Sequence, residues 1–213
     1  MRYRDRKHAG DVLAQLLLEY QNATDVIVFG LARGGVPVAY EIAKTLNIPL
    51  DVLIVRKIGM PGHQEYAIGA IASGQIAVFN QDVIARLHIP EEDIQMILKE
   101  EKEELARRED IYRHQKPFPN IRNKTVILVD DGVATGFSLK AAIAALRIKH
   151  PKEIVIAVPV GALDSIENLQ GICKKVICPL TPEDFRAVGQ WYFNFNQVED
   201  DEVISCLEKN YLQ

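Results

Sequence analysis

The sequence predicts an α/β fold with a doubly wound, mostly parallel sheet. Short apolar runs rich in β-branched residues alternate with segments of helical period, which is the pattern of βαβ units. Each run is apolar throughout rather than alternating, as expected of strands that helices cover on both faces. These runs are residues 25–30, 50–57, 125–131, 153–160 and 174–180.

Helical segments lie between and before these strands. An amphipathic helix is predicted over residues 9–20, and a second one over residues 36–47 follows the first strand. After the third strand, apolar residues recur at i, i+3, i+4 and i+7, which predicts a helix that begins near Ser138.

Residues 66–120 depart from this rhythm and are predicted to be an insertion. Residues 66–80 indicate two strands joined at Ser73 and Gly74, since glycine tolerates the positive φ of tight turns. Residues 89–115 are predicted to form a long charged helix with Pro90 in its first turn. Its charges are expected to form a solvated face, with a binding role as the alternative.

The composition is that of one soluble domain of 213 residues, with 48% apolar and 25% charged residues. The formal net charge of -4 gives no basic signature, so nucleic acid is not expected as a partner. No apolar run reaches the roughly 20 residues that cross a bilayer, and no signal-peptide core follows the charged amino terminus. We therefore expect a cytoplasmic protein with no membrane partner. The three cysteines have no zinc-type or disulfide spacing and are assigned no chemistry.

The segment TVILVDDGVATGFS, residues 125–138, carries the strongest functional signal. A predicted strand stops at Asp130 and Asp131, and ligands gather at the carboxyl ends of parallel strands. The N–H groups and dipole at the start of the next helix would bind an anion, with hydroxyls from Thr135 and Ser138. Since carboxylates accept hydrogen bonds from sugar hydroxyls, the pattern indicates a ribose 5-phosphate. The alternative is a strand end followed by a capped helix.

The longer segment TVILVDDGVATGFSLKAAI closely resembles the binding motif of the type I phosphoribosyltransferases. It departs from that motif mainly at Gly132, where an aliphatic residue is common. The resemblance implies that Asp130 and Asp131 bind the ribose of phosphoribosyl pyrophosphate and a Mg²⁺ ion. The residues implied to bind the phosphate are Val133, Ala134, Thr135, Gly136, Phe137 and Ser138. Gly132 is a further candidate, since glycine lets the backbone approach the anion closely.

A second loop, GLARGGVPVA at residues 30–39, follows the first predicted strand. Its backbone N–H groups and the guanidinium of Arg33 could bind a pyrophosphate, or Gly34 and Gly35 could form a simple turn. The resemblance implies a pyrophosphate loop with a non-proline cis peptide, which we expect at Arg33–Gly34.

Arg56 and Lys57 end the second predicted strand, at the same sheet edge. The segment IGMPGHQEY that follows has no hydrophobic period, which suits a mobile lid. The resemblance implies that this loop closes over the substrates and that Arg56 and Lys57 contact pyrophosphate. His63 and Glu65 are further candidates, with solvated loop residues as the alternative, and Glu65 is the candidate for a general base.

An aromatic cluster lies in AVGQWYFNF, residues 187–195. Its rings could stack on a nucleobase, or belong to the core or to a dimer interface. The cluster consists of Trp191, Tyr192, Phe193 and Phe195.

Over nearly its full length the chain is similar to a subgroup of type I phosphoribosyltransferases whose acceptor is unknown. This implies one domain of the type I phosphoribosyltransferase fold over residues 1–213, with a hood or tail at residues 181–213. The implied reaction transfers the phosphoribosyl group of phosphoribosyl pyrophosphate to a nitrogen acceptor such as a nucleobase, with Mg²⁺ as cofactor. Arg33, Lys57 and Glu65 are the candidate catalytic residues. The resemblance also implies a possible homodimer. A non-catalytic regulator that senses the same ligand, or a hydrolase or phosphorylase of a sugar phosphate, are the alternatives.

Overall fold

The computed structural model of this chain describes residues 2–114 and 116–211, without the side chains of residues 64–66 and 211. The helices in these residues are α1 (Arg6–Gln15), α2 (Gly35–Leu46), α3 (Gln81–Leu87), α4 (Glu91–Arg113), α5 (Phe137–Ile148), α6 (Leu163–Gln170) and α7 (Asp200–Tyr211). The strands are β1 (Val26–Leu31), β2 (Leu50–Leu53), β3 (Val55–Met60), β4 (His63–Ala72), β5 (Ile76–Phe79), β6 (Thr125–Val129), β7 (Glu153–Ala157) and β8 (Lys175–Ile177). None of the helices within the described residues is long and apolar enough to cross a membrane.

The central sheet has five parallel strands in the order β2-β1-β6-β7-β8. Successive residues of a strand point to opposite faces, and both faces are covered. On one face Val26 and Val28 pack in a core with residues of α1, α2 and α7. On the other face Ile27 and Phe29 pack with residues of α5 and α6. The predicted doubly wound α/β fold is confirmed.

The predicted strand over residues 50–57 is wrong in one respect, because it is divided between two sheets. β2 pairs with β1 and ends at Leu53, whereas β3 begins at Val55 and pairs antiparallel with β4. Between them Ile54 exchanges two hydrogen bonds with Ser73, to its Oγ and from its backbone N–H, both at 2.9 Å. These bonds turn the chain out of the central sheet. Arg56 and Lys57 therefore lie within a strand of the second sheet, and not at the end of a strand of the central sheet as predicted.

The second sheet, with strand order β3-β4-β5, contains the predicted hairpin. Its strands β4 and β5 are joined through Gly74 and Gln75, which have φ of 78° and 59°. The segment predicted as an irregular lid is instead mostly strand, because β3 and β4 extend through it and turn at Pro61 and Gly62. Whether this hairpin moves over a ligand stays a prediction.

The predicted long helix is α4, but it begins after Pro90, which is the N-cap residue and not part of the first turn. The short helix α3 before it was not predicted from the sequence; the Asn80 side chain caps it by accepting from Val83 N–H at 3.2 Å. The polar residues of α4 do not all face solvent. Glu101 accepts from Arg56 Nε at 2.5 Å, and this bond ties α4 to β3.

Arg113, in the last turn of α4, is the clearest exception to the predicted solvated face. Its side chain is 2% exposed and its Nε donates to Asp51 Oδ1 at 3.0 Å. A second nitrogen donates to the Val52 carbonyl. Burial raises the pKa of Asp51, while the charge of Arg113 acts in the opposite direction. This buried ion pair fastens α4 to β2.

Replacing Arg113 by alanine should lower the free energy of unfolding by about 3–5 kcal/mol, because Asp51 would remain buried without its counter-ion. Urea unfolding measures this loss. Without Arg113 the pKa of Asp51 rises further, so the folded state takes up a proton more readily than the unfolded state, and the loss should shrink as pH falls.

The matched control is Arg186→Ala, which breaks the exposed pair between Arg186 and Asp184, whose side chains are 78% and 75% exposed. That change should cost no more than about 0.5 kcal/mol. Equal losses for the two variants would contradict the structural role assigned to Arg113.

Candidate functional site

The site is built where β1 and β6 end side by side. These strands are paired in parallel, with Gly30 opposite Val129, so the loops that follow them meet at one edge of the sheet. A Cβ atom at Gly34 would overlap Asp131 Oδ2, and one at Gly35 would lie 2.5 Å from the Val129 carbonyl oxygen. Glycine is therefore required for this contact, and the two segments singled out in the sequence form one surface.

A cis peptide bond is present in the first loop, as expected, but it joins Ala32 and Arg33. The expected position, Arg33–Gly34, is wrong by one residue. The cis bond thus lies between the end of β1 at Leu31 and Gly34, which already has the helical angles φ −59° and ψ −32°.

Asp130 and Asp131 directly follow β6 and are linked to each other. The backbone N–H of Asp131 donates to Asp130 Oδ1 at 2.9 Å. Burial and the neighbouring charge of Asp131 raise the pKa of Asp130 well above its usual range. Burial also raises the pKa of Asp131, against the effect of Arg6. Donors that stabilise charged carboxylates, such as sugar hydroxyls, would relieve this repulsion.

Arg6 is a site residue that the sequence reasoning missed. Its Nε and one terminal nitrogen each lie 2.8 Å from Asp131 Oδ2, and its side chain is 12% exposed. The guanidinium stacks 4.0 Å from the centre of the Phe195 ring. No local pattern distinguishes this residue from Arg2 and Arg4, because the contact joins the amino-terminal helix to a strand end 125 residues away.

The predicted phosphate loop is anchored by the segment that follows β7. Val133 donates from its N–H to the Val160 carbonyl and accepts at its own carbonyl from Ala162 N–H, both at 2.9 Å. The hydroxyl of Ser165 donates to the Ala134 carbonyl at 2.6 Å. These bonds fix the backbone of the loop before it reaches the helix.

The loop ends at Gly136, with φ of 70°, and α5 begins at Phe137. The first-turn N–H groups of a helix have no carbonyl partner within the helix. Thr135 and Ser138 are exposed beside them, and Thr135 Oγ1 lies 3.4 Å from Phe137 N. Phe137 is 41% exposed and lines a groove between α5 and the second sheet. Amides and hydroxyls thus surround a helix start suited to an anion.

The departure from the family motif at Gly132 has a packing explanation. A Cβ atom there would collide with Val188 Cγ1 and would lie 3.2 Å from Val160 Cγ1. Val188, from the carboxyl-terminal segment, thus occupies the space that a side chain at position 132 would need.

The basic candidates are distributed over different surfaces. Arg33 lies beside Glu199 and Asp200, at 3.5 Å and 3.6 Å, and its side chain is 34% exposed. Arg56 is held by Glu101 on the second sheet. Lys57 is exposed and lines a cavity of about 440 Å³ between the hairpin tip and α4.

His63 is exposed at the start of β4, and the side chain of Glu65 lies outside the described residues. Contact of Arg33, Arg56 or Lys57 with pyrophosphate stays a prediction, as does a role for His63 or Glu65 in catalysis.

Most of the aromatic cluster belongs to a small packed core that contacts the segment of the acids. Tyr192 donates its hydroxyl to the Asp131 carbonyl at 2.6 Å, and its ring lies 4.9 Å from that of Phe195. Trp191 is partly buried beside them. Phe193 is 74% exposed, and because neighbouring side chains of an extended chain point in opposite directions, it points away from Tyr192.

The comparisons with known proteins agree with this geometry. The family model "Phosphoribosyl transferase domain" matches residues 4–196. In two strains of Mycobacterium tuberculosis, a protein named "Putative phosphoribosyl transferase" is 41% identical over 205 residues, which are 96% of this chain and 46% of that protein. The chain thus spans about half the length of the curated relatives it matches.

Two solved structures are similar in fold. A crystal structure from Thermus thermophilus is 37% identical with a TM-score of 0.85, and the match covers 98% of this chain and 99% of that one. A structure from Aquifex aeolicus is 10% identical with a TM-score of 0.50, over 86% of this chain and 78% of that one. The second likeness concerns the fold alone.

The contact between Gly132 and Val188 can be tested by a double-mutant cycle. Gly132→Ala should lower the free energy of unfolding by about 1–3 kcal/mol, because the added methyl group overlaps Val188. Val188→Ala makes room for that methyl group, so the double variant should lose less than the sum of the two single losses, by about 0.5–3 kcal/mol.

Chemical unfolding of the four proteins measures this coupling. Gly171→Ala is the matched control, since Gly171 has a φ of −67° and its nearest neighbouring atom would be 3.5 Å away. Strictly additive losses at Gly132 and Val188 would contradict the packing explanation.

Proposed function

The chain belongs to the phosphoribosyltransferase family, and we propose that it transfers the phosphoribosyl group of phosphoribosyl pyrophosphate to a nitrogen acceptor. In this reaction the bond from the anomeric carbon to pyrophosphate oxygen breaks, and a bond to the acceptor nitrogen forms. Positive charge develops on the ribose while negative charge develops on the leaving group. The protein must therefore position the substrate and stabilise both charges.

The observation that carries the proposal is the contact between the two loops at Gly34 and Asp131. It places an acid pair and a glycine loop on one surface, with a helix start beside them. A ribose with a phosphate at one end and a pyrophosphate at the other has groups that match each part. The hydroxyls would donate to Asp130 and Asp131, and the 5-phosphate would accept from the loop 133–138.

Arg33 is the residue proposed to stabilise the pyrophosphate. Its present partners, Glu199 and Asp200, are 69% and 51% exposed and lie more than 3 Å away, so this ion pairing contributes about 0–1 kcal/mol. A pyrophosphate with several charged oxygens can compete for such an arginine. Lys57 is proposed as a second cation, whereas Arg56 would first have to leave Glu101, which it contacts at 2.5 Å.

Mg²⁺ is proposed as the metal that accompanies the substrate. The described residues contain no cluster of three or more His, Cys, Asp or Glu side chains that could hold a metal ion. Two adjacent carboxylates do fit a Mg²⁺ ion that takes most of its oxygen ligands from phosphate and water. When bound, the ion would neutralise charge on the leaving pyrophosphate. Asp130 and Asp131 are the residues proposed to hold it.

For the acceptor we propose a nucleobase, on the family resemblance alone. The aromatic residues closest to the acids are engaged in packing, as Tyr192 and Phe195 surround Arg6 and Asp131. The arrangement of Tyr192 and Phe195 therefore gives no support to stacking of a base on these two rings. Phe193 is 74% exposed, and a stacking role for it or for Trp191 stays a prediction.

Asp130→Asn tests the ribose contact. Affinity for phosphoribosyl pyrophosphate, measured by calorimetry with Mg²⁺, should fall roughly 10- to 100-fold, because a hydrogen bond to a charged group contributes about 1.5–3 kcal/mol. The melting temperature at neutral pH should not fall, since the raised pKa means that the ionised carboxylate is unfavourable in the fold. Asp164→Asn, at an exposed position in the first turn of α6, is the control. Full affinity of the Asp130 variant would remove the ribose assignment.

A screen for pyrophosphate release tests the reaction itself. The protein is incubated with phosphoribosyl pyrophosphate, Mg²⁺ and single nucleobases or nicotinate-like rings, and at least one acceptor should release pyrophosphate. Lys57→Ala should reduce this turnover while leaving the affinity for a nucleoside monophosphate, which has no pyrophosphate, nearly unchanged. Tight binding of phosphoribosyl pyrophosphate without turnover on any acceptor would favour a ligand-sensing regulator.

A further inference from the structure

The guanidinium of Arg6 is fixed on several sides. Two of its nitrogens contact Asp131 Oδ2 at 2.8 Å, and the third donates to the Asn196 carbonyl at 2.7 Å. The Phe195 ring covers one face of the group at 4.0 Å. An arginine held in this way presents its planar fork to the carboxylate in one orientation.

These contacts divide the oxygens of the acid pair. Oδ2 of Asp131 receives both bonds from Arg6, and Oδ1 of Asp130 receives the N–H of Asp131. Each carboxylate thus uses one oxygen within the protein. Oδ1 of Asp131 and Oδ2 of Asp130 lie outside these contacts, which leaves one acceptor on each acid for two neighbouring hydroxyl groups.

We infer that Arg6 is a positioning residue that orients the Asp131 carboxylate, so that the site binds the sugar of its ligand and not only the phosphate. The last torsion of an aspartate side chain is broad, and repulsion from Asp130 would turn an unrestrained carboxylate away. Arg6 stops this rotation and offsets the repulsion. The inference rests on the proposed function, since it concerns how the same site binds a sugar phosphate.

The test compares ribose 5-phosphate with inorganic phosphate as ligands. In Arg6→Ala the affinity for ribose 5-phosphate should fall roughly 10-fold or more, because an oriented charged acceptor for a hydroxyl is lost. The affinity for inorganic phosphate should stay within about twofold, because the loop 133–138 is anchored independently by Val160, Ala162 and Ser165. The ratio of the two affinities is the quantity to measure, by calorimetry.

Two further variants distinguish the effect of the geometry of Arg6 from the effect of its charge and from a general loss of protein stability. Arg6→Lys keeps the charge without the fork and should recover only part of the ratio. Phe195→Leu keeps Arg6 but removes the ring that covers it, and should lower the ratio less than Arg6→Ala, even if the alanine variant folds poorly. Lys7→Ala is the control, since Lys7 is the next residue of α1, is itself 62% exposed and pairs with Asp11 and Glu41 rather than with the acids of the site. It should leave the ratio unchanged.

The outcomes are distinguishable. An equal loss of affinity for both ligands in the Arg6 variants would mean a structural role only and would overturn the inference. Unchanged affinities for both ligands in the Arg6 variants would overturn it as well, while the wild-type protein would still bind ribose 5-phosphate as proposed. If the wild-type protein bound ribose 5-phosphate no more tightly than inorganic phosphate, the result would contradict the proposed function itself, whatever the Arg6 variants did.

Discussion

Two adjacent carboxylates at the end of a buried strand repel each other, and the surroundings of Asp130 and Asp131 offset that repulsion. The guanidinium of Arg6 neutralises one carboxylate, and the N–H of Asp131 bonds to the other. Tyr192 fixes the backbone between the acids and the loop. Arg6 comes from the first helix and Tyr192 from the carboxyl-terminal segment. Both regions are therefore required to build the site, although its two acids directly follow β6.

The acid pair also restricts which residues can form the loop after the neighbouring strand β1. Parallel pairing brings the loop after β1 against the acids, and the approach is so close that no side chain fits at Gly34. A ligand that reaches the acids therefore also meets the backbone of this loop. Sheet pairing, and not the local sequence of either loop, converts two separate turns into one surface, which under the proposed function contacts both ends of the sugar phosphate.

Three arginines, Arg6, Arg33 and Arg56, differ in how firmly other residues of the protein already bind them. Arg33 has exposed and long contacts, so a ligand could replace its partners at little cost. Arg56 is paired with Glu101 at 2.5 Å, in a less exposed place. Arg6 is the most buried of the three and is directed at protein, not at ligand. Arg6 thus bonds within the protein at short distance, whereas the ion pairs of Arg33 are longer than this and are the most exposed of the three.

Much of this organisation could be predicted from local sequence, because strand composition, helical period and the motif around Asp130 are all properties of neighbouring residues. The central sheet, the hairpin through Gly74 and the loop leading into α5 were predicted for that reason. Arg6 was not, since nothing nearby marks a residue whose partner lies 125 positions along the chain. Residues 50–57 likewise have the composition of a single strand throughout. Only their hydrogen bonds to Ser73 and to β4 divide them between two sheets. Local chemistry determined which elements and which motif form; long-range packing alone decided what stands beside the acids and which basic residues lie on another sheet.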